Sequence, residues 1–469
     1  MSSQGVRELD LKIVNGTVVT AAETRQGEVG IEGGRVVAVV PKIPEPAAET
    51  IDAGGCLVLP GCVEAHTHLD FPLAGTISAD DFENGTKVAA LGGNTTLIDF
   101  ATQFRGETLQ QALENWFKKE GGKSCIDFGF HMGFSEFTPG VLAEVPRIVA
   151  AGVPSFKMYM AYRNVCMLDD GEMFQLMQAI RDAGGLVQVH AENGWVIDVL
   201  IRQHLAAGKR APKYHALARP AALEAEATHR AIVLAELAGV PLYVVHMSSG
   251  GAVDHVARAR ERGLPVYGET CNQYLVLTDE KYLLPGFEGA KYVLSPPLRS
   301  PGDRDALWRR LADGTLQTVA TDHCPFRYEG QKSLGRDDFS NIPNGLPGLE
   351  AKLSIVYSEG VHGGRISINK LVEVLAEGPA RIFGLYPEKG TIVVGGDADI
   401  VIFDPDVWWK LDRANLHSPL DYSPYEGMEV AGKVRTVLLR GQYVVKDGQF
   451  AGRKGIGRFL KRKAGTGYL

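Results

Sequence analysis

Groups able to bind a metal ion close several short apolar runs in this sequence. Glu64-Ala65-His66-Thr67-His68 ends the run that begins at Cys56. Val189-His190-Ala191-Glu192, Val245-His246-Met247 and Thr321-Asp322-His323 end three others. On a strand, side chains two residues apart share a face, so His66 and His68 can reach one ion. Each signal is weak alone, because a single buried histidine is more often a satisfied core residue. His66, His68, His190, His246 and Asp322 at the same end of separate strands point jointly to a metal centre. Lys157 lies inside another apolar run, Val153 to Met160, where an ammonium is costly unless paired or neutralised. A lysine amine that has taken up CO₂ becomes a carbamate, an anion with one oxygen for each of two cations.

Those parts suffice for hydrolysis of an amide. Two ions about 3.5–4 Å apart can share a water and bring its pKa toward about 7. Asp322 can bind one ion, take the proton as the bridging hydroxide attacks a carbonyl, and return it to the leaving nitrogen as general base and acid. Tyr162, five residues after Lys157, is placed to donate to the developing oxyanion.

The elements that must position these residues alternate along the middle of the chain. Strand candidates are Cys56–Glu64, Thr95–Phe100, Ile126–Phe134, Val153–Met160, Leu186–Ala191, Pro241–Met247, Pro265–Thr270 and Gln317–Asp322. Amphipathic stretches such as Asp81–Leu91, Leu109–Lys119, Asp170–Ala183, Ala221–Ala238 and Gly251–Arg262 lie between them. Eight strand–helix units predict an α/β fold built on a (β/α)₈ barrel, whose reactive groups gather where strands end. Both chain ends read as hairpins: Leu9–Thr20 and Glu28–Val40 at one end, Gly390–Asp404 and Val434–Phe450 at the other. Isolated hairpins are barely stable, so the ends are expected to meet in one discontinuous β-sandwich. The expected organisation is residues 1–57 and 386–450 in that sandwich, 58–385 in the barrel, and 451–469 as a basic tail. The tail, with Arg453, Lys454, Arg458, Lys461, Arg462 and Lys463, reads either as a solvated end or as an arm reaching a neighbouring subunit.

Composition narrows the setting. The 469 residues are 45% hydrophobic and 22% charged, with a formal net charge of −7. That profile fits a soluble globular protein and argues against nucleic acid as a partner. The six cysteines are scattered without a Cys-x-x-Cys pair, as in a reducing compartment. No apolar run is long enough to span a membrane and the N-terminus has no signal core, so the expected location is the cytoplasm. No Gly-x-Gly-x-x-Gly or phosphate-binding loop indicates a nucleotide cofactor.

The combined motifs resemble the amidohydrolase superfamily, and within it the dihydropyrimidinase and D-hydantoinase family. The resemblance rests on Pro60-Gly61 before His66-Thr67-His68, Gly92-Gly93-Asn94-Thr95-Thr96, Ser155-Phe156-Lys157, Met160-Ala161-Tyr162, His190-Ala191-Glu192-Asn193, Tyr214-His215 through Arg219-Pro220, Val245-His246, Ser295-Pro296-Pro297-Leu298-Arg299, Thr321-Asp322-His323-Cys324-Pro325, Ile342-Pro343-Asn344-Gly345, Lys389-Gly390-Thr391-Ile392 and Asp397-Ala398-Asp399. It implies that His66, His68, carboxylated Lys157 (N6-carboxylysine) and Asp322 bind the more buried ion, and that His190, His246 and Lys157 bind the second. It further implies zinc, with manganese or cobalt as substitutes, CO₂ for the lysine, and a homotetramer or homodimer. Tyr162 would polarise the scissile carbonyl, while Ser295 and Asn344 would hold the ring amide through main-chain groups. Leu69, Phe71, Tyr159 and Cys166 would line the pocket, with Cys166 small where hydantoinases commonly carry an aromatic. The implied reaction opens 5,6-dihydropyrimidines and 5-substituted hydantoins, small cyclic ureides and imides, to N-carbamoyl amino acids.

Two other readings compete. One is a related cyclic amidohydrolase, dihydroorotase or allantoinase; a dihydroorotase would call for a carboxylate-gripping arginine just past the histidine pair, where Leu69-Asp70-Phe71 stands instead, and those apolar neighbours suit an uncharged ring or aryl group. A non-catalytic scaffold like the collapsin response mediator proteins is disfavoured because all six ligand positions are filled.

Overall fold

The structure, a computed structural model, describes residues 8–463. Eight parallel strands form the central sheet: β1 (Cys62–Thr67), β2 (Asn94–Thr102), β3 (Asp127–Gly133), β4 (Ser155–Tyr159), β5 (Leu186–His190), β6 (Leu242–Val244), β7 (Val266–Cys271) and β8 (Thr318–Ala320). Each pairs with its neighbour in chain order. The ends of the series meet through a parallel bridge between Thr67 and His323, backed by a hydrogen bond from His68 N to His323 O at 2.9 Å. All eight strands are buried along their full length. Both faces of such a sheet are covered, which is why its strands read as apolar runs rather than alternating ones.

The helices between the strands start and stop on local signals. Thr108 and Gln111 form a reciprocal capping pair at the start of Leu109–Glu120, and Asp169 and Glu172 do the same for Asp170–Asp182. Gly239 ends Ala221–Ala238 in the left-handed conformation. Helices Pro139–Ala150, Gly194–Ala206 and Pro301–Ala312 complete the pattern where the sequence signal is weaker.

The chain ends form a separate nine-stranded, mostly antiparallel sheet. Strands Leu9–Val19, Thr24–Glu32, Arg35–Val40, Ala47–Asp52 and Leu57–Pro60 come from one end, and Ile400–Lys410, Glu429–Leu439, Gln442–Lys446 and Gln449–Phe450 from the other. Leu57–Pro60 pairs antiparallel with Ile400–Phe403, joining the two contributions. Leu11, Ile13, Val29, Ile31, Val58, Ile400 and Leu438 share a core distinct from that of the barrel.

The single strand expected over Cys56–Glu64 is two strands. Gly61 separates them, and its neighbours belong to different sheets. A Cβ at this position would lie 2.1 Å from Thr95 Oγ1, so only glycine lets the chain cross from one sheet to the other so close to β2.

The described part of the basic tail folds onto its own barrel rather than standing free. Phe128 N donates to Arg458 O, Leu460 N to Phe128 O and Arg462 N to Gly152 O. Phe459 packs against Phe117, Phe128 and Phe130. Arg462 is 3% exposed, with its guanidinium at Phe130 O. The tail's charges had suggested solvent or a neighbour; the apolar residues set between them direct it to the barrel floor. Residues 1–7 of the N-terminal unit and 464–469 of the tail lie outside the described residues. Among the described residues no helix is long and apolar enough to cross a membrane, and all six cysteines are free.

Candidate metal centre

The C-terminal ends of β1, β4, β5, β6 and β8 converge on one polar cluster. His66 Nε2 lies 3.1 Å from Asp322 Oδ1 and His68 Nε2 lies 3.2 Å from the same oxygen. One donor atom from each of the three residues falls within 4.8 Å of the others. Beside them, His190 Nδ1 and His246 Nε2 approach to 2.9 Å. The rings of His66 and His246 stack with centroids 5.4 Å apart, so the two groups adjoin. Lys157 is 1% exposed, and its charge is felt by His66, His190, His246 and Asp322 alike. Its Nζ lies over the rings of Phe100 and Tyr159, at 4.8 and 5.4 Å.

Protonation favours ligation. Burial holds His66 and His246 well below the usual imidazole range; at His66 Asp322 pulls the other way without reversing it, and Lys157 adds to the lowering at both. Burial likewise lowers His190. Burial would raise Asp322, but His66, His68 and Lys157 outweigh it and keep the carboxyl ionised. Burial draws Lys157 down to about 8, leaving a fraction of neutral amine near physiological pH.

A set of buried carboxylates fixes the ligands in place. His66 Nδ1 lies 2.7 Å from Glu269 Oε1, which also accepts from His246 N at 2.8 Å. Burial pushes the Glu269 carboxyl up to about 8, but its oxygens already accept from His246 N and the Tyr243 hydroxyl, so the proton shared with neutral His66 sits on Nδ1 and leaves a lone pair at Nε2. His66 Nε2 is buried and makes no hydrogen bond, which fits a ligand atom and not a satisfied core histidine. Glu192 holds His190 Nε2 at 2.9 Å and is held in turn by Arg219 at 2.6 Å. Glu64 Oε1 accepts from the main-chain N–H of both His66 and Thr321, so one side chain ties the ends of β1 and β8 together. Its other oxygen pairs with fully buried Lys352 at 2.8 Å. Asp99 accepts from Thr67, Leu69 and Trp116 beneath the same loop.

His246, Asp322 and Tyr162 have left-handed backbones, with φ of 39°, 50° and 67°. Such conformations cost on the order of 1–3 kcal/mol each and concentrate where function requires a particular side-chain direction.

Tyr162 is half-buried, with its ring 5.0 Å from that of His190. Burial pushes its phenol up, so it is a protonated donor. Ser295 is buried and Asn344 half-buried, on two loop segments linked by the hydrogen bond from Gly345 N to Val293 O. Phe71 stands 5.0 Å from His68, and Tyr159 stands 6.1 Å from His190. Cys166, half-buried on the loop after β4, donates its main-chain N–H to Tyr162 O and has Lys157 among its charged neighbours. Leu69 is fully buried and packs on Gly85, where a Cβ would meet its Cδ2 at 2.4 Å.

Sequence reasoning passed over Glu64, Asp99, Glu192 and Glu269. Their signal was available, since each is a carboxylate in or at the end of an apolar strand run, a costly position unless it has work there.

The amidohydrolase family model matches residues 57–444. A D-hydantoinase of Geobacillus stearothermophilus is 50% identical over 452 residues, covering 96% of each chain. A D-hydantoinase of Streptomyces coelicolor is 49% identical, covering 96% of this chain and 97% of its own. The crystal structure of a dihydropyrimidinase from Brevibacillus agri superposes with a TM-score of 0.95 at 50% identity, covering 97% of this chain and 98% of its own.

Proposed function

This chain belongs to the amidohydrolase family, and on that premise we propose that it is a cyclic amide hydrolase opening 5-substituted hydantoins and 5,6-dihydropyrimidines to N-carbamoyl amino acids. The observation that carries the reading is the convergence of His66, His68 and Asp322 beside the His190–His246 pair, with buried Lys157 close enough to act electrostatically on both groups and the Tyr162 ring 5.0 Å from His190.

His66, His68, Lys157 and Asp322 would hold one divalent ion, and His190, His246 and Lys157 the second, with zinc the natural choice for imidazole-rich sites and Lys157 carboxylated by CO₂. Such ions, when bound, supply Lewis acidity and bring water toward a pKa of about 7. Asp322 receives the proton of the attacking water at its carboxylate and returns it to the ring nitrogen as the amide bond breaks. The Tyr162 hydroxyl donates to the carbonyl oxygen as negative charge grows on it. Main-chain groups of Ser295 and Asn344 hold the ring amide, and Phe71, Tyr159 and Cys166 face the ring substituent. A homotetramer goes with this reading.

Tyr162→Phe removes only the donor and should lower kcat about 10²–10³-fold with a smaller change in KM, measured by steady-state kinetics. Side-by-side rates on dihydrouracil, phenylhydantoin, allantoin and dihydroorotate test the substrate class. One of the first two should be fastest. Asp70, beside the histidine pair, makes the site a poor host for the dihydroorotate carboxylate. A clear preference for allantoin or dihydroorotate would replace the proposal with a different cyclic amidase.

A further inference from the structure

Lys332 is a lysine with no acidic partner at the heart of the molecule. It is 0% exposed, and its Nζ donates to three main-chain carbonyls: Val293 O at 2.6 Å, Pro343 O at 2.8 Å and Gly345 O at 2.8 Å. An ammonium has three donors, and here all three are used. Among the described residues it forms no ion pair. Burial pushes its ammonium down to about 7, so holding the cation on three carbonyls is costly, and what it yields in return is the fixed spacing of those carbonyls.

The three acceptors are not arbitrary. Val293 precedes Ser295 by two residues, and Pro343 and Gly345 flank Asn344. Among the described residues the two segments are otherwise joined by one hydrogen bond, Gly345 N to Val293 O at 3.0 Å. Gly345 has φ of +150°, and a Cβ there would lie 2.2 Å from Cys324 O, so this segment also presses on the chain leaving Asp322. We propose that Lys332 is a positioning residue for substrate: it clamps the Ser295 and Asn344 segments at the one spacing at which their main-chain groups can grip a ring amide. The inference rests on the assignment of the ring amide to Ser295 and Asn344. A grip lost equally from ground and transition states raises KM and leaves kcat nearly intact.

The test is kinetics of metal-loaded Lys332→Met and Lys332→Gln on dihydrouracil, with amide hydrogen exchange of residues 293–296 and 343–346. Either variant should raise KM about tenfold, change kcat by less than about threefold, and speed exchange in both segments together, with bound metal unchanged. Should neither variant fold, the unaltered enzyme still decides the matter, because its Gly345 amide must be protected before any substrate is added. Rapid exchange there, or exchange in the variants no faster than in the parent, would overturn the clamp. Faster exchange in the variants with an unchanged KM would instead overturn the placing of the ring amide on these segments, and the positioning role with it.

Discussion

Asp322→Asn should lower kcat by at least about 10³-fold, near the upper range for loss of a general acid–base group. The substitution is nearly isosteric, and asparagine tolerates the left-handed backbone that Asp322 adopts at φ 50°. The strand end should therefore survive. What disappears is charge and proton affinity. In the parent, Asp322 Oδ1 faces His66 and His68 at 3.1 and 3.2 Å, and those imidazoles together with Lys157 keep it ionised despite burial. An amide oxygen can still face the two imidazoles but cannot carry a proton from water to the leaving nitrogen. Steady-state kinetics together with metal analysis separates the roles. Activity lost with metal retained assigns the effect to proton transfer, whereas parallel loss of both assigns it to ligation. Activity within tenfold of the parent would remove Asp322 from the chemistry.

Lys157→Ala should be inactive, by more than about 10³-fold, and a short carboxylic acid such as acetate or propionate should restore part of the activity. Truncating a fully buried lysine leaves a cavity of roughly the lost side chain, because packed interiors relax only in part. A small carboxylate entering that space offers the two oxygens that the carbamate would present. The carbamate forms when the neutral amine attacks CO₂ and releases one proton, and burial already lowers the ammonium to about 8. Rescue by carboxylates and not by small amines is the expected signature. Rescue by amines alone would mean that the lysine acts as a cation, and retention of activity by the unrescued variant would deny it any role.

Much of this was legible in the sequence because it depends on local rules. Parallel strands buried on both faces read as apolar runs, and helices such as Ala221–Ala238 carry their own stops. Histidine pairs spaced by two announce a shared strand face. What remained hidden depends on contacts between distant segments. Nothing near Glu64 reveals that Lys352, 288 residues away, will neutralise it. Nothing near Lys332 reveals that it will bridge Val293 to Gly345. The docking of the tail was hidden for a related reason. Its six basic residues dominate the composition, while Phe459 and Leu460 between them determine where it docks.

The account rests on two cations held by residues from five strands. Elemental analysis of fully active enzyme, followed by chelation and readdition, addresses that claim most directly. The expected result is about two divalent ions per chain, activity falling with metal content, and recovery on adding zinc, manganese or cobalt. Full activity with fewer than one bound ion per chain, or activity that survives complete metal removal, would contradict it.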